Sequence, residues 1–184
     1  TLTLDAKQKY IFELSEKYDT RVFVRLSTRV SHSQSLVEEE APISVPLKPY
    51  EKNIRKNVAV PANARVMRFN IEDRLNVMRA EAEKSCFNRI EEGDKRIGII
   101  TCAVSYQYVK EVFPEYSILK LGFTNPLPTE LVRKFASMVE KVYVVEELDP
   151  VLREAVVDAG VKVESYTTEL AMMEQNVDRL RALR

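Results

Sequence analysis

One histidine, two cysteines and a short run of carboxylates are the parts of this 184-residue chain best suited to chemistry. His32 lies in Thr28-Arg29-Val30-Ser31-His32-Ser33. The run before it, Arg21-Val22-Phe23-Val24-Arg25-Leu26-Ser27, is rich in β-branched and aromatic residues and predicts a strand. Ligands of α/β proteins bind at the C-terminal ends of strands. At such an edge Arg29 can hold a carboxylate or phosphate, and His32 can move a proton, with Ser31 between them. The plainer reading is a loop that caps the strand and pins the segment that follows. A Ser-His-Asp triad would have to use His32, and no Gly-x-Ser-x-Gly elbow supplies its nucleophile. No residue is therefore assigned a bond-breaking role.

A second cluster, Glu146-Glu147-Leu148-Asp149-Pro150, follows the strand candidate Val142-Tyr143-Val144-Val145. Three carboxylates at a strand end can bind a cation or act as a base. More often an aspartate so placed caps the next helix, and one glutamate points to water. Cys86 follows a helix and Cys102 ends a strand, where it reads as a small buried apolar side chain. Neither has a histidine near it in sequence to activate a thiolate. One histidine and two cysteines complete neither a four-ligand zinc site nor a four-cysteine cluster, so no metal site is expected. Isolated cysteines without framework spacing indicate a reducing, cytoplasmic compartment. The four glycines contain no Gly-x-Gly pair, and Gly93 and Gly98, though at P-loop spacing, are followed by Ile99-Ile100 instead of Lys-Ser/Thr.

Lys+Arg and Asp+Glu both number 28, so the chain carries no global charge to attract nucleic acid or an anionic membrane. No apolar run reaches the roughly 18 residues of a membrane span. Charge is uneven locally. Residues 48–68 hold Lys48, Lys52, Arg55, Lys56, Arg65 and Arg68 against the single acid Glu51, a local charge of +5. This is either a solvated arm or a segment that docks onto an acidic partner.

The elements that must position these residues follow from periodicity. Residues 4–17 read as a helix with Tyr10, Ile11 and Leu14 on its apolar stripe, flanked by Leu4 and Phe12. Residues 28–63 lack a sustained period and carry four prolines, as an extended arm would. Residues 62–85 predict a long helix buried through Met67, Ile71, Leu75, Met78 and Ala82, with Val66 beside them; the two methionines read as core filler. From residue 97, strands at 97–102, 117–121 and 142–145, and one opening at Val161-Lys162-Val163, alternate with helices at 105–113, 128–139 and 150–160, and a last helix spans 168–183. Asp149 is the expected cap and Gly160 the expected stop of the third helix. Tyr106 and Tyr108 are expected to pack, with their hydroxyls in solvent. The alternation implies an α/β fold with a parallel sheet and right-handed crossovers. The start without methionine, and a helix and strand with no strand before them, suggest a truncated βαβ unit.

Several segments in order resemble the α subunit of indolepyruvate:ferredoxin oxidoreductase, within the 2-oxoacid:ferredoxin oxidoreductases. They are Thr28–Ser33, Val60-Pro61-Ala62-Asn63-Ala64-Arg65, Asn88-Arg89-Ile90-Glu91, Gly98-Ile99-Ile100-Thr101, Ser105–Pro114, Leu119-Lys120-Leu121-Gly122 and Val144–Pro150. The resemblance implies a three-layer α/β/α sheet of the transketolase C-terminal-like kind at residues 87–165. It implies five strands there, one of them antiparallel and supplied by 87–91. Residues 1–41 would be the end of a domain that contacts the thiamine diphosphate pyrimidine, 42–86 a linker and long helix, and 166–184 a C-terminal helix. The implied parent reaction is oxidative decarboxylation of an aryl 2-oxoacid with coenzyme A, with electrons passed to ferredoxin. Thiamine diphosphate, magnesium and iron–sulfur clusters would serve the parent enzyme. None is expected on this fragment, which lacks the Gly-Asp-Gly motif and the cluster cysteines: Gly93-Asp94 is followed by Lys95, and Cys102-Ala103 stands where the family has Ser-Gly. Implied partners are the remaining domains of the α subunit and a β subunit, with neither nucleic acid nor membrane. The fragment alone would be inactive, its Arg29, Ser31 and His32 near the active site or an interface. The competing reading is a stand-alone flavodoxin-like interaction module without catalysis.

Overall fold

The computed structural model describes residues 4–34, 36, 49–165 and 174–183. The chain divides into two compact units, residues 1–74 and 75–184.

In the first unit, helix α1 (Leu4–Tyr18) ends where Thr20 N–H donates to Ser15 O and Ser15 Oγ donates to Thr20 O. Leu14 is buried, Tyr10 and Ile11 are half-buried, and Phe12 is exposed. The expected strand at 21–27 does not form; the segment is irregular and Phe23 is 94% exposed. β-propensity becomes a strand only when a neighbour takes the backbone hydrogen bonds, and no described strand lies beside this one. Two single-turn helices, α2 (Thr28–Ser31) and α3 (Ile54–Asn57), interrupt the expected arm. Each starts on a side-chain cap: Ser27 Oγ accepts from Val30 N–H, and Asn53 Oδ1 accepts from Lys56 N–H. Helix α4 (Pro61–Glu83), whose residues from Leu75 on belong to the second unit, begins on proline, as a helix start permits. Only the far end of its expected stripe is buried, at Met78 and Ala82; Val66 and Ile71 are exposed.

The second unit is an α/β sandwich around a mixed four-stranded sheet in the order β1-β3-β2-β4. Strand β1 (Arg89–Glu91) runs antiparallel to β3 (Tyr116–Leu121), with Ile90 opposite Leu119. Strand β2 (Asp94–Cys102) pairs parallel with β3 on one side and with β4 (Lys141–Val145) on the other. Alternation along β2 sends neighbours to opposite cores. Ile100 packs with Val132 and Phe135 of α6 (Thr129–Ser137) and with Leu152 and Val156 of α7 (Val151–Asp158). Ile99 packs with Val109 and Val112 of α5 (Ser105–Val112) and with Leu180 of α8 (Val177–Arg181). Gly98 lets α6 approach, since a Cβ there would lie 2.7 Å from Val139 Cγ2 and 3.0 Å from the Phe135 ring. Gly160 ends α7 at φ +83°, as expected.

The antiparallel strand forms at 89–91 within the expected 87–91, whereas the strand expected to open at Val161 does not. Residues 161–165 make one ladder-like bond, Glu164 N–H to Val142 O at 2.8 Å, while Val161 is buried. Of the helix expected over 168–183, residues 166–173 lie outside the described residues; the described turn starts only at Val177, after the Asn176 cap.

Candidate functional site

The 27–33 segment is held by its own backbone. Ser31 Oγ donates to Ser27 O at 3.2 Å, Ser33 Oγ donates to Val30 O at 2.7 Å, and His32 N–H closes α2 on Thr28 O at 2.9 Å. The Ser31 and Ser33 hydroxyls are therefore spent on the turn. The His32 side chain is exposed. Arg29 is placed by its backbone in α2, and its side chain lies outside the described residues. With no strand at 21–27, these residues do not stand at a strand end.

The strand-end carboxylates do follow β4, but their roles differ from those expected. Asp149 does not cap α7: its side chain is exposed, Pro150 holds the cap position, and that position has no side-chain cap bond of its own. Glu146 reaches the helix instead, as the chain reverses through Leu148 at φ +61°. Its carboxylate accepts from Leu152 N–H and Arg153 N–H, both at 2.7 Å. Two backbone donors at a positive helix end are a good seat for an anion. Burial, at 8% exposure, pushes the carboxyl above its usual range, and the two amides pull it back in part. Glu147 accepts from Gln175 N–H at 3.0 Å, and Gln175 Nε2 donates to Glu146 O. So these carboxylates hold a helix and the C-terminal segment. Among the described residues, no three His, Cys, Asp or Glu side chains converge as metal ligands.

That corner is where such a fold would take a ligand. The β2-to-β3 connection runs through α5 on one face, and the β3-to-β4 connection runs through α6 on the other. The strand order therefore reverses between β2 and β4, whose C-terminal ends define a crevice. Gln175, fully buried, donates to Glu146 O there, and Leu180, also fully buried, packs with Ile99, Val109 and Val145 on the α5 face. The fit leaves Thr101 Oγ1 and Gln175 Oε1 buried with no hydrogen-bond partner. Cys102 is half-buried at the same end of β2, and Cys86 is exposed; the two are not joined in a disulfide.

Among the described residues, a group of coupled polar side chains lies elsewhere, at the edge strand. Tyr106, expected to show its hydroxyl to solvent, is 6% exposed. Its hydroxyl donates to Glu91 Oε1 at 2.7 Å and accepts from Arg89 Nη2 at 2.6 Å. Lys110 pairs with the other Glu91 oxygen, and the Arg89 and Lys120 cations lie over the Tyr106 ring at 5.3 and 5.4 Å. Burial pushes the Glu91 carboxyl up, but Lys110, Tyr106 and Arg89 together outweigh it and hold the group at about 2. The bonding roles of Glu83 and Asn88 were not legible in the sequence either. Glu83, ending α4, accepts from Glu130 and Leu131 N–H and caps α6, while Asn88 Oδ1 accepts from Gly122 and Phe123 N–H. No local pattern marks these caps, since the amides that donate to the two side chains lie more than thirty positions away.

Fold and chemistry together define a doubly wound α/β domain whose polar side chains mostly fasten its own elements. No family model matches the chain. Its curated relatives include the indolepyruvate oxidoreductase subunit IorA of Methanothermobacter thermautotrophicus, 38% identical over 159 residues, covering 82% of this chain and 26% of that protein. The IorA subunit of Thermococcus kodakarensis is 36% identical over 178 residues, covering 88% of this chain and 28% of that one. The chain is thus homologous to the IorA subunits of indolepyruvate oxidoreductase and spans about a quarter of their length. A solved 2-oxoglutarate:ferredoxin oxidoreductase from Magnetococcus marinus, with 2-oxoglutarate, coenzyme A and succinyl-CoA bound, is similar over 57% of this chain and 19% of its own. That likeness has a TM-score of 0.44 at 21% identity.

Proposed function

We propose that this chain is a structural segment of the α subunit of a 2-oxoacid:ferredoxin oxidoreductase acting on indolepyruvate or a similar aryl pyruvate. The whole enzyme would decarboxylate the 2-oxoacid oxidatively, join the acyl group to coenzyme A and pass electrons to ferredoxin. The observation that carries this reading is the 38% identity to IorA over 159 residues. On this reading residues 1–41 end a cofactor-facing domain, 42–86 connect it, 87–165 form the transketolase C-terminal-like domain, and 166–184 are its C-terminal segment.

Thiamine diphosphate supplies the carbanion chemistry of such enzymes, and iron–sulfur clusters carry the electrons. The residues present here do not fit these groups. The chain has two cysteines, one histidine and no Gly-Asp-Gly segment. The share of this chain is scaffold and subunit contact. Among the described residues no helix is long and apolar enough to cross a membrane.

The test is a chimera in which this chain replaces the matched quarter of the M. thermautotrophicus IorA subunit, assembled with its partner subunit. The expected result is electron transfer to ferredoxin that requires indolepyruvate and coenzyme A. A folded, assembled chimera without that activity overturns the reading. In the same assembly Arg29→Ala tests whether the 28–33 turn borders the site: weaker 2-oxoacid or partner binding, by the roughly 1.5–3 kcal/mol of a lost charged contact, is expected. Unchanged kinetics and assembly would make the turn a local anchor.

A further inference from the structure

The first unit carries far more exposed apolar surface than a finished surface needs. Thirteen of the seventeen large hydrophobic side chains found exposed among the described residues belong to residues 1–74, where Leu14 alone is buried. Isolated exposed leucines and valines are ordinary; a concentration of this kind marks a surface that another surface covers.

Its best-defined part is residues 49–60. Every residue of that stretch is exposed. Tyr50, Ile54 and Val58 recur four apart, Tyr50 at 86% exposure, and Lys52, Arg55 and Lys56 stand among them. The stretch is also fixed in place within its unit. Asn53 caps α3, Lys56 pairs with Asp19, and Asn63 at the start of α4 donates its Nδ2 hydrogens to Ile54 O and Val58 O at 3.4 and 3.0 Å. A surface already ordered before binding loses less entropy when it docks. Phe69, 72% exposed on α4, extends the apolar area.

We propose that residues 49–60, with the first half of α4, dock into an apolar surface rimmed by carboxylates, and that this surface lies on the part of the longer subunit outside this chain. The proposal rests on the reading given under "Proposed function". Two observations choose the occupant. The chain spans only 26% of the relative it matches at 38% identity, so about three quarters of that polypeptide is available to cover the surface. With Lys56 paired to Asp19, Lys52 and Arg55 outnumber Glu51 in the stretch and select an acidic rim over a neutral one, and a second copy would bring the same cations opposite themselves.

The test is hydrogen–deuterium exchange on two samples: the 184-residue chain alone and the chimeric full-length IorA polypeptide containing it. Peptides from 49–60 should exchange at least tenfold more slowly in the chimera, while peptides from β2 and α5 exchange alike in both. Ile54→Asp with Val58→Asp should restore fast exchange of the arm in the chimera and leave β2 and α5 unchanged. Lys52→Glu with Arg55→Glu should do so at low salt. A folded chimera whose arm exchanges as fast as in the isolated chain overturns the proposal and leaves the family reading standing. A chimera that does not fold overturns both. Concentration-dependent protection of the arm in the chain alone, with a dimer in sedimentation, assigns the surface to a second copy and also overturns the proposal.

Discussion

Glu146 holds the start of α7 and the Asp149 side chain does not, and substitution separates them. Glu146→Gln keeps one acceptor oxygen but loses the charge that two backbone amides share. The expected loss is about 1–2 kcal/mol in urea unfolding, the range of a lost cap or charged hydrogen bond. Asp149→Ala, at an exposed position without a cap bond, should stay within about 0.5 kcal/mol. Equal effects would contradict the assignment of the cap. Glu91 gives a pH signature. Its carboxyl is held at about 2, below the unfolded value near 4.5, so its contribution is complete above the unfolded value. As pH falls toward 2, the native state takes up the proton less readily than the unfolded one, and that contribution is lost. Because Arg89 and Lys110 are about half exposed, the amount is discounted to about 1–2 kcal/mol. Glu91→Gln should flatten the fall in stability between pH 5 and 2. A profile as steep as that of the unaltered chain would refute the coupling.

At the scale of elements, the C-terminal turn behaves as part of the core although it is only five residues long. Leu180 is fully buried beside Val109 and Ile99, and Gln175 ties the segment to the end of β4. Leu180→Ala should therefore cost about 2–4 kcal/mol through the cavity it leaves. Ile54→Ala, on the exposed arm, should cost the isolated chain less than about 0.5 kcal/mol. Gly98 tests the seat of α6 in the opposite way. A methyl there meets Val139 and Phe135, so Gly98→Ala should destabilise by about 1–3 kcal/mol through overpacking. Thermal unfolding of the three variants side by side would show whether α6 and α8 are anchored as described.

For the whole molecule, the two units differ in what can hold them together. The second has two apolar layers on one sheet; the first buries one large hydrophobic side chain among its described residues. Amide exchange of the isolated chain should be slowest in β2, β3 and β4 and fastest in residues 20–34 and 49–60. Calorimetry of the same chain with thiamine diphosphate and magnesium should give no tight binding, because the motif that would hold them is missing. Tight binding would overturn the assignment of this chain to the part of the enzyme that does not hold the cofactor.

The sequence by itself determined the strands and helices between residues 97 and 160. There, apolar runs, a proline at a helix start and Gly160 at a helix stop act locally, and local signals do not need the rest of the fold. The likeness to the IorA subunits was legible in the sequence too, and such relatives match at 38% identity over 159 residues. The tertiary structure alone decided which carboxylate caps α7, that Glu83 caps α6, and that Tyr106 turns its hydroxyl inward to Glu91. It also denied a strand to residues 21–27, whose side chains favour one but whose backbone finds no neighbour. The physical reason is the same throughout. Propensity and periodicity belong to a residue and its near neighbours, whereas a cap, a ladder or a coupled carboxylate requires a partner that only folding brings within hydrogen-bond reach.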